Sequence, residues 1–77
     1  MRIKYDVIVS PEFRQIFTYD LDDSARKRLD DLIFKLRTGE IQGVETQEGF
    51  EIQTEAGEII DYELKRNGLF LNYLQLP

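Results

Sequence analysis

The side chains best suited to chemistry in this chain are carboxylates in its last third. Glu51, Asp61 and Glu63 fall on alternating positions of two predicted strands, on the side opposite the apolar residues. Clustered carboxylates can raise one another's pKa, so Asp61 and Glu63 could act as a general acid and base. An open sheet face in water favours a solvated or partner-binding surface instead, and we assign no catalytic residue.

The composition excludes several other kinds of site. The chain has no cysteine and no histidine, so disulfides, Cys/His zinc sites and histidine-activated nucleophiles cannot form within it. Asp20, Asp22 and Asp23 could suggest a cation site, but they lack the glycine and the distal glutamate of a calcium loop. Helix capping is the favoured interpretation, and we predict no metal and no cofactor.

The basic run Arg26-Lys27-Arg28 is a candidate for nucleic-acid binding. Acidic residues at helical spacing around it, such as Asp23 and Asp30, favour a salt-bridged helix face. The chain carries 10 basic and 15 acidic residues, a net charge of −5, which does not by itself attract nucleic acid or an anionic membrane. We therefore expect no direct binding of nucleic acid or of membranes.

The length of 77 residues predicts one small domain, residues 1–77, with a modest core. Charges interrupt the first residues, and no stretch approaches the ~20 apolar residues of a membrane span. These features predict a cytoplasmic protein.

The first half of the chain predicts a strand followed by two helices. Residues 3–9 alternate between apolar and polar, which is typical of a half-buried strand. Ser10 suits an N-cap and Pro11 the first helical position. A second helix start follows at Asp22-Asp23-Ser24, and Gly39 is a natural residue to end that helix.

The second half predicts three strands joined by two hairpins. Asn67-Gly68 is the strongest two-residue turn signal and would pair Tyr62 with Tyr73. For the other hairpin, a two-residue loop would mix the two faces. A three-residue loop over 55–57 keeps Ile52 opposite Ile60, and we choose it.

These elements predict an α+β fold of order β-α-α-β-β-β, with the helical hairpin on one face of a mostly antiparallel sheet. The core face is expected to carry Phe50, Ile52, Ile60, Tyr62, Leu64, Leu71 and Tyr73. The opposite face is expected to carry Glu51, Gln53, Ile59, Asp61, Glu63, Lys65, Phe70, Asn72 and Leu74.

Three apolar residues share the predicted polar face: Phe70, Leu74 and Ile59. An apolar centre with a charged rim is a common design of transient interfaces. We therefore predict a partner-binding surface made of these three residues, with Glu51, Asp61 and Glu63 around them.

The order of elements resembles the RelE/ParE toxin superfamily of bacterial toxin–antitoxin modules. The similarity lies in three segments: the strand and Ser-Pro-Glu helix start of residues 7–13, the basic, leucine-rich helix of residues 25–36, and the strand residues 43–44 and 57–63. The resemblance spans nearly the whole chain and implies that family's fold.

The active-site pattern of the RNA-cleaving members does not carry over. Those members use several Lys and Arg residues on the strands and an aromatic residue or histidine near the C-terminus. Here the matching surface has Lys65 as its one cation, and Tyr73 is expected in the core. The resemblance thus implies a member without ribonuclease activity.

The functional hypothesis is a RelE/ParE-like protein that acts by binding a protein: an antitoxin, a cellular target or a second copy of itself, as a homodimer. Two alternatives stay open. One is a phage- or plasmid-encoded acidic inhibitor that occupies the basic site of a nucleic-acid-binding protein. The other is a ribosome-dependent mRNA endonuclease toxin with a displaced active site.

Overall fold

The structure is a computed structural model that describes residues 2–77, and it contains two helices packed against a five-stranded mixed sheet. The elements are β1 (Asp6–Val9), α1 (Pro11–Tyr19), α2 (Asp23–Thr38), β2 (Val44–Glu45), β3 (Phe50–Gln53), β4 (Ile59–Lys65) and β5 (Gly68–Gln75). Their order across the sheet is β1-β5-β4-β3-β2, and β1 and β5 form its parallel pair. The predicted α+β class is confirmed, and the short β2 is an addition to it.

The predicted helix boundaries are confirmed by their caps. The hydroxyl of Ser10 accepts a hydrogen bond from the N–H of Phe13 at 3.1 Å, and Pro11 is the first residue of α1. The Asp22 carboxylate accepts from the N–H of Ala25 at 2.8 Å. Gly39 ends α2 in the left-handed conformation, with φ of 76°. Local side-chain chemistry therefore sets where both helices begin and where the second ends.

Strand β1 is shorter than the alternation of residues 3–9 predicts, because its first residues bond to a helix. The N–H groups of Lys4 and Tyr5 both donate to the carbonyl of Arg37, at 2.8 and 3.2 Å. This carbonyl lies in the last turn of α2, where it has no partner within the helix. The chain joins the sheet at Asp6, whose N–H donates to Asn67.

The β3–β4 hairpin has the predicted register. Ile52 pairs with Ile60 and Phe50 with Tyr62, and the rings of the second pair stack with their centroids 5.4 Å apart. Gly57 has φ of 99°, as the three-residue loop requires. The requirement that both strands keep their apolar residues on the same face of the sheet thus predicted the loop length and the position that needs glycine.

The β4–β5 hairpin differs from the prediction. Its loop is Arg66-Asn67 and not Asn67-Gly68, since Lys65 pairs with Gly68 and Arg66 has the positive φ, of 57°. Gly68 lies in the strand, where the ring of Phe70 covers it so closely that an added Cβ would lie 2.6 Å from the ring. The glycine therefore serves packing at this position and not the turn.

A bulge in β5 changes the faces of the residues that follow it. Tyr62 pairs with Leu71 but Asp61 pairs with Tyr73, so Asn72 is an extra residue in the ladder. As a result Leu74 is only 1% exposed, whereas Tyr73 is 45% exposed. The predicted positions of Tyr73 in the core and Leu74 on the polar face were both wrong, because the pattern alone does not show a bulge.

The core lies between the helices and one face of the sheet. Its fully or almost fully buried members are Phe13, Leu29, Leu36, Ile60, Tyr62, Leu69, Leu71 and Leu74. The hydroxyl of Tyr62 accepts a hydrogen bond of 2.7 Å from the N–H of Gly43. Burial raises the pKa of Tyr62, and this hydrogen bond partly offsets the shift. The rest of the predicted core face, Phe50, Ile52 and Leu64, packs against these residues.

Candidate functional site

The face of the sheet away from the helices is the candidate site, and we call it the outer face. Strand pairing arranges its side chains in rows that cross the sheet. One row is Ile8, Phe70 and Glu63, and the next is Tyr73, Asp61, Glu51 and Val44. Carboxylates thus occupy β3 and β4. Apolar or aromatic side chains lie on both sides of them in the second row, and on the β5 side of Glu63 in the first. The predicted interface had the opposite arrangement, with an apolar centre and a charged rim.

The carboxylates of the outer face have few cationic partners. Glu51 and Asp61 are directly opposite each other on β3 and β4, an arrangement of like charges that costs stability in a sheet. Asp61 accepts a hydrogen bond from the Gln75 amide at 3.1 Å. Glu63 accepts one from the Asn72 amide at 2.8 Å. Neutral amides satisfy hydrogen bonds but leave the negative charge in place.

Lys65 is the one cation of β4, and it lies at the end of the outer face. Its ammonium group is 3.6 Å from the Glu63 carboxylate and 5.7 Å from the centroid of the Phe70 ring. The same ring covers Gly68, next to Ile8 of β1. Phe70 is therefore half-buried among its neighbours on the outer face.

The three residues of the predicted apolar patch, Phe70, Leu74 and Ile59, do not lie next to one another in the structure. Leu74 is in the core, as described above. Phe70 pairs with Glu63, whereas Ile59 lies four residues further along β4, about 13 Å away, with Asp61 between them. Phe70, Ile59, Glu51, Asp61 and Glu63 do share the outer face, as predicted, but the first two are at separate positions on it.

Tyr73 is the residue of the outer face that sequence reasoning missed. It forms, with Asp61, Glu51, Phe50 and Asn72, part of the lining of an open depression of about 450 Å³. The β2–β3 turn completes this depression. In the core, the hydroxyl of Tyr73 would lack a hydrogen-bond partner, which favours a position where this side chain faces water. This preference was the available signal in the sequence for the exposure of Tyr73.

The other candidate groups have structural partners. Asp22 caps α2, as predicted. In the basic run, Arg26 pairs with Asp23 at 2.9 Å, and Arg28 pairs with Glu58 of the β3–β4 loop. The second pair was not predicted. Asp30, which was expected to contribute to a salt-bridged helix face, forms no ion pair among the described residues. Within residues 2–77 no group of three or more His, Cys, Asp or Glu side chains is placed to hold a metal ion.

The outer face can contact a ligand or protein, since neither helix covers it. Over the described part of the chain, neither helix has the length and apolar character needed to cross a membrane. Comparisons of the chain with protein-family models, curated proteins and solved structures gave no significant match.

Proposed function

We propose that this chain is a RelE/ParE-like protein that acts by binding another protein through its outer face, without cleaving RNA. The observation that carries the proposal is the Glu51–Asp61 pair, two carboxylates opposite each other with no cation between them. A sheet gains nothing in stability from this arrangement. A partner with Lys or Arg side chains would relieve the repulsion on binding.

The aromatic and apolar residues beside the carboxylates suit the same purpose. Tyr73 and Val44 end the row that contains the two carboxylates, and both are well exposed. Aromatic residues supply much of the energy of protein interfaces, and complementary charges speed association and select the partner. The expected partner therefore has a basic surface with apolar residues beside it, as an antitoxin or a cellular target of such a toxin could have.

The family assignment rests on the order of the elements and on the helix start. A strand leads through Ser10-Pro11-Glu12 into a helical hairpin, and antiparallel strands follow. Lys65 is the one cation on β3 and β4, where the RNA-cleaving members need several. A phosphodiester at Glu51 and Asp61 would meet like charge, which opposes both binding and cleavage.

The acidic-inhibitor alternative uses the same carboxylates in a different way. A protein that fills a basic nucleic-acid site through charge alone releases its partner as the salt concentration rises. A partner held also by Tyr73 and Phe70 resists salt better. The salt dependence of the affinity therefore separates these two functions.

One observation supports the endonuclease alternative, because Tyr73 of β5 is exposed on the outer face. Its row neighbour is Asp61 and not an arginine or lysine, so the charge that develops during cleavage would lack stabilisation. Cleavage of ribosome-bound mRNA that Tyr73→Phe abolishes would establish this alternative and overturn our proposal.

The test is a comparative capture experiment with three baits: the wild-type chain, Glu51→Lys and Asp31→Lys. Asp31 is exposed on α2, so the two variants have the same net charge and differ in location. We expect a protein in lysate of the native host to be retained by wild type and Asp31→Lys and lost by Glu51→Lys. Equal retention by all three baits would show that the outer face is not the binding surface.

A further inference from the structure

The outward edge of β1 has backbone groups that no described residue satisfies. In the parallel pairing with β5, the N–H of Asp6 donates to Asn67 at 2.7 Å and the N–H of Ser10 donates to Leu71 at 3.0 Å. Alternate residues of a strand direct these groups to the same side, so those of Val7 and Val9 point away from β5. Neither residue takes part in a hydrogen bond on that side within residues 2–77.

The two edges of the sheet are not equivalent. At the far edge, β2 has only two residues, Val44 and Glu45, and one of them is charged, so it offers little for another strand to pair with. Strand β1 has an apolar run from Val7 to Val9 without a charge, a proline or a bulge, which are the usual means of protecting an edge. Ile8, in the centre of this run, is 43% exposed.

An apolar groove lies along the same edge, on the helix side. It has a volume of about 280 Å³ and is lined by Val7, Val9, Phe13, Phe17 and Ile33, together with charged residues. The unpaired backbone and the groove are adjacent because the side chains of Val7 and Val9 point into the groove lining. A strand added at this edge would satisfy the backbone and cover apolar surface in one step.

We propose that the occupant of this edge is β1 of a second copy of the chain, in antiparallel orientation about a two-fold axis at Ile8. This register places Val7 opposite Val9 of the second copy, so the unpaired N–H and C=O groups of each meet their counterparts. The same surface is used on both copies, as two-fold symmetry requires. The result is one continuous sheet through two chains.

The charges of the strand select this orientation. Asp6 is the charged residue of β1, and antiparallel pairing about Ile8 places it opposite the uncharged Ser10. The two Asp6 carboxylates are then about 13 Å apart along the ladder, beyond the screening length of about 8 Å at physiological salt. Parallel pairing in register would instead place the two carboxylates side by side. The edge of β1 is therefore complementary to the same edge of a second copy in the antiparallel orientation only.

The absence of natural cysteine permits a direct test by cross-linking. In the proposed register, Ile8 faces Ile8 of the second copy at a non-hydrogen-bonded position, where the Cα atoms are about 4.5 Å apart. This distance is within the range that a disulfide spans. We expect Ile8→Cys to form a disulfide-linked dimer under mild oxidation. Val44→Cys, on the exposed opposite edge, is the matched control and should remain largely monomeric.

Sedimentation of the untagged full chain tests the same proposal without a cross-link. We expect the mass to rise with concentration from 9.1 kDa to twice that value. Ile8→Lys should abolish this rise in mass, and Val44→Lys should leave the rise unchanged. Thermal melts confirm that both variants fold. A wild-type chain that is monomeric at every concentration overturns the proposal. A dimer that Ile8→Lys does not weaken also overturns it, and so does equal cross-linking of the two cysteine variants. Ile8 shares the outer face, but the dimer contact is the backbone edge of β1, whereas the partner contact proposed above is centred on the row of Tyr73, Asp61 and Glu51. Each proposal can therefore fail alone.

Discussion

Arg28 of α2 binds Glu58 of the β3–β4 loop through two hydrogen bonds, of 3.1 Å from Nε and 2.5 Å from Nη2. Thr54 donates a third bond to the same carboxylate, which is almost fully buried. The Arg28 guanidinium holds the pKa of the Glu58 carboxyl below its ordinary value, against the opposing effect of burial, and Thr54 adds to the lowering. This contact connects the second helix to a hairpin that is 30 residues further along the chain.

The first prediction concerns the stability of the fold at acid pH. Because the pKa of Glu58 is lower in the folded chain, the unfolded chain takes up the proton more readily as pH falls. The contribution of Glu58 to the stability of the fold is fully present above the ordinary pKa of its carboxyl group, 4.5. It is lost as the pH falls from there through the lower pKa that the group has in the folded chain. Thermal melts should therefore show a smaller loss of stability between neutral and acid pH for Glu58→Gln than for wild type.

Glu48→Gln is the matched control, since Glu48 is exposed in the β2–β3 turn and its carboxylate has no hydrogen-bond partner among the described residues. Its acid sensitivity should follow that of wild type. A Glu58→Gln variant as sensitive to acid as wild type would contradict the prediction.

The second prediction tests the bulge at Asn72. Leu74 is buried by it, so Leu74→Ala should destabilise the fold by about 2–5 kcal/mol, as for other buried leucines. Leu76, two residues later, is 41% exposed, and Leu76→Ala should have a much smaller effect. Urea denaturation of the two variants gives the comparison. Similar small losses for both would instead support the unbulged register, with Leu74 at the surface.

The third prediction concerns Gly68 and the Phe70 ring. An alanine Cβ at position 68 would lie 2.6 Å from the ring, so Gly68→Ala should cost about 1–3 kcal/mol through overpacking. The cost should be much smaller when Phe70→Ala has already removed the ring. A double-mutant cycle by denaturation measures this difference. A cost that is the same in both backgrounds would indicate a backbone requirement for glycine instead.

The fourth prediction concerns the partner captured by the outer face. Tyr73→Ala should weaken its binding by about 1–3 kcal/mol, within the range of aromatic interface residues. Glu51→Lys should mainly slow association, since complementary charge acts on the approach of the partners. Surface plasmon resonance separates the two rates. Tyr19→Ala is the control, because Tyr19 is equally aromatic and 78% exposed, but lies on α1.

Sequence reasoning succeeded where one or two neighbouring residues decide the structure. Ser10, Asp22 and Gly39 cap helices through contacts with residues close in the chain, and these were predicted. The loop ending at Gly57 was also predicted, because only one loop length kept both strands with consistent faces.

Sequence reasoning failed where packing between residues that are distant in the chain decides the structure. The turn at Arg66 uses a residue with no sequence signal for positive φ, and Gly68, which carries that signal, lies in the strand against the ring of Phe70. The bulge at Asn72 exchanges the faces of Tyr73 and Leu74, and an alternating pattern gives no indication of it. The composition of the candidate site was thus largely predicted, but its arrangement and its exposed tyrosine were not.

The place of β5 has a consequence for how the chain folds during synthesis. This strand is the last of the sheet to be translated, yet it lies between β1 and β4. The hydroxyl of Ser10 donates to the Asn72 carbonyl across 62 residues of sequence, so the first strand has no neighbour in the sheet until β5 is made. Closing so long a loop makes folding slow relative to helix formation. Until β5 leaves the ribosome, the helical hairpin has only part of its packing surface, and nascent chains should be sensitive to protease and dependent on chaperones.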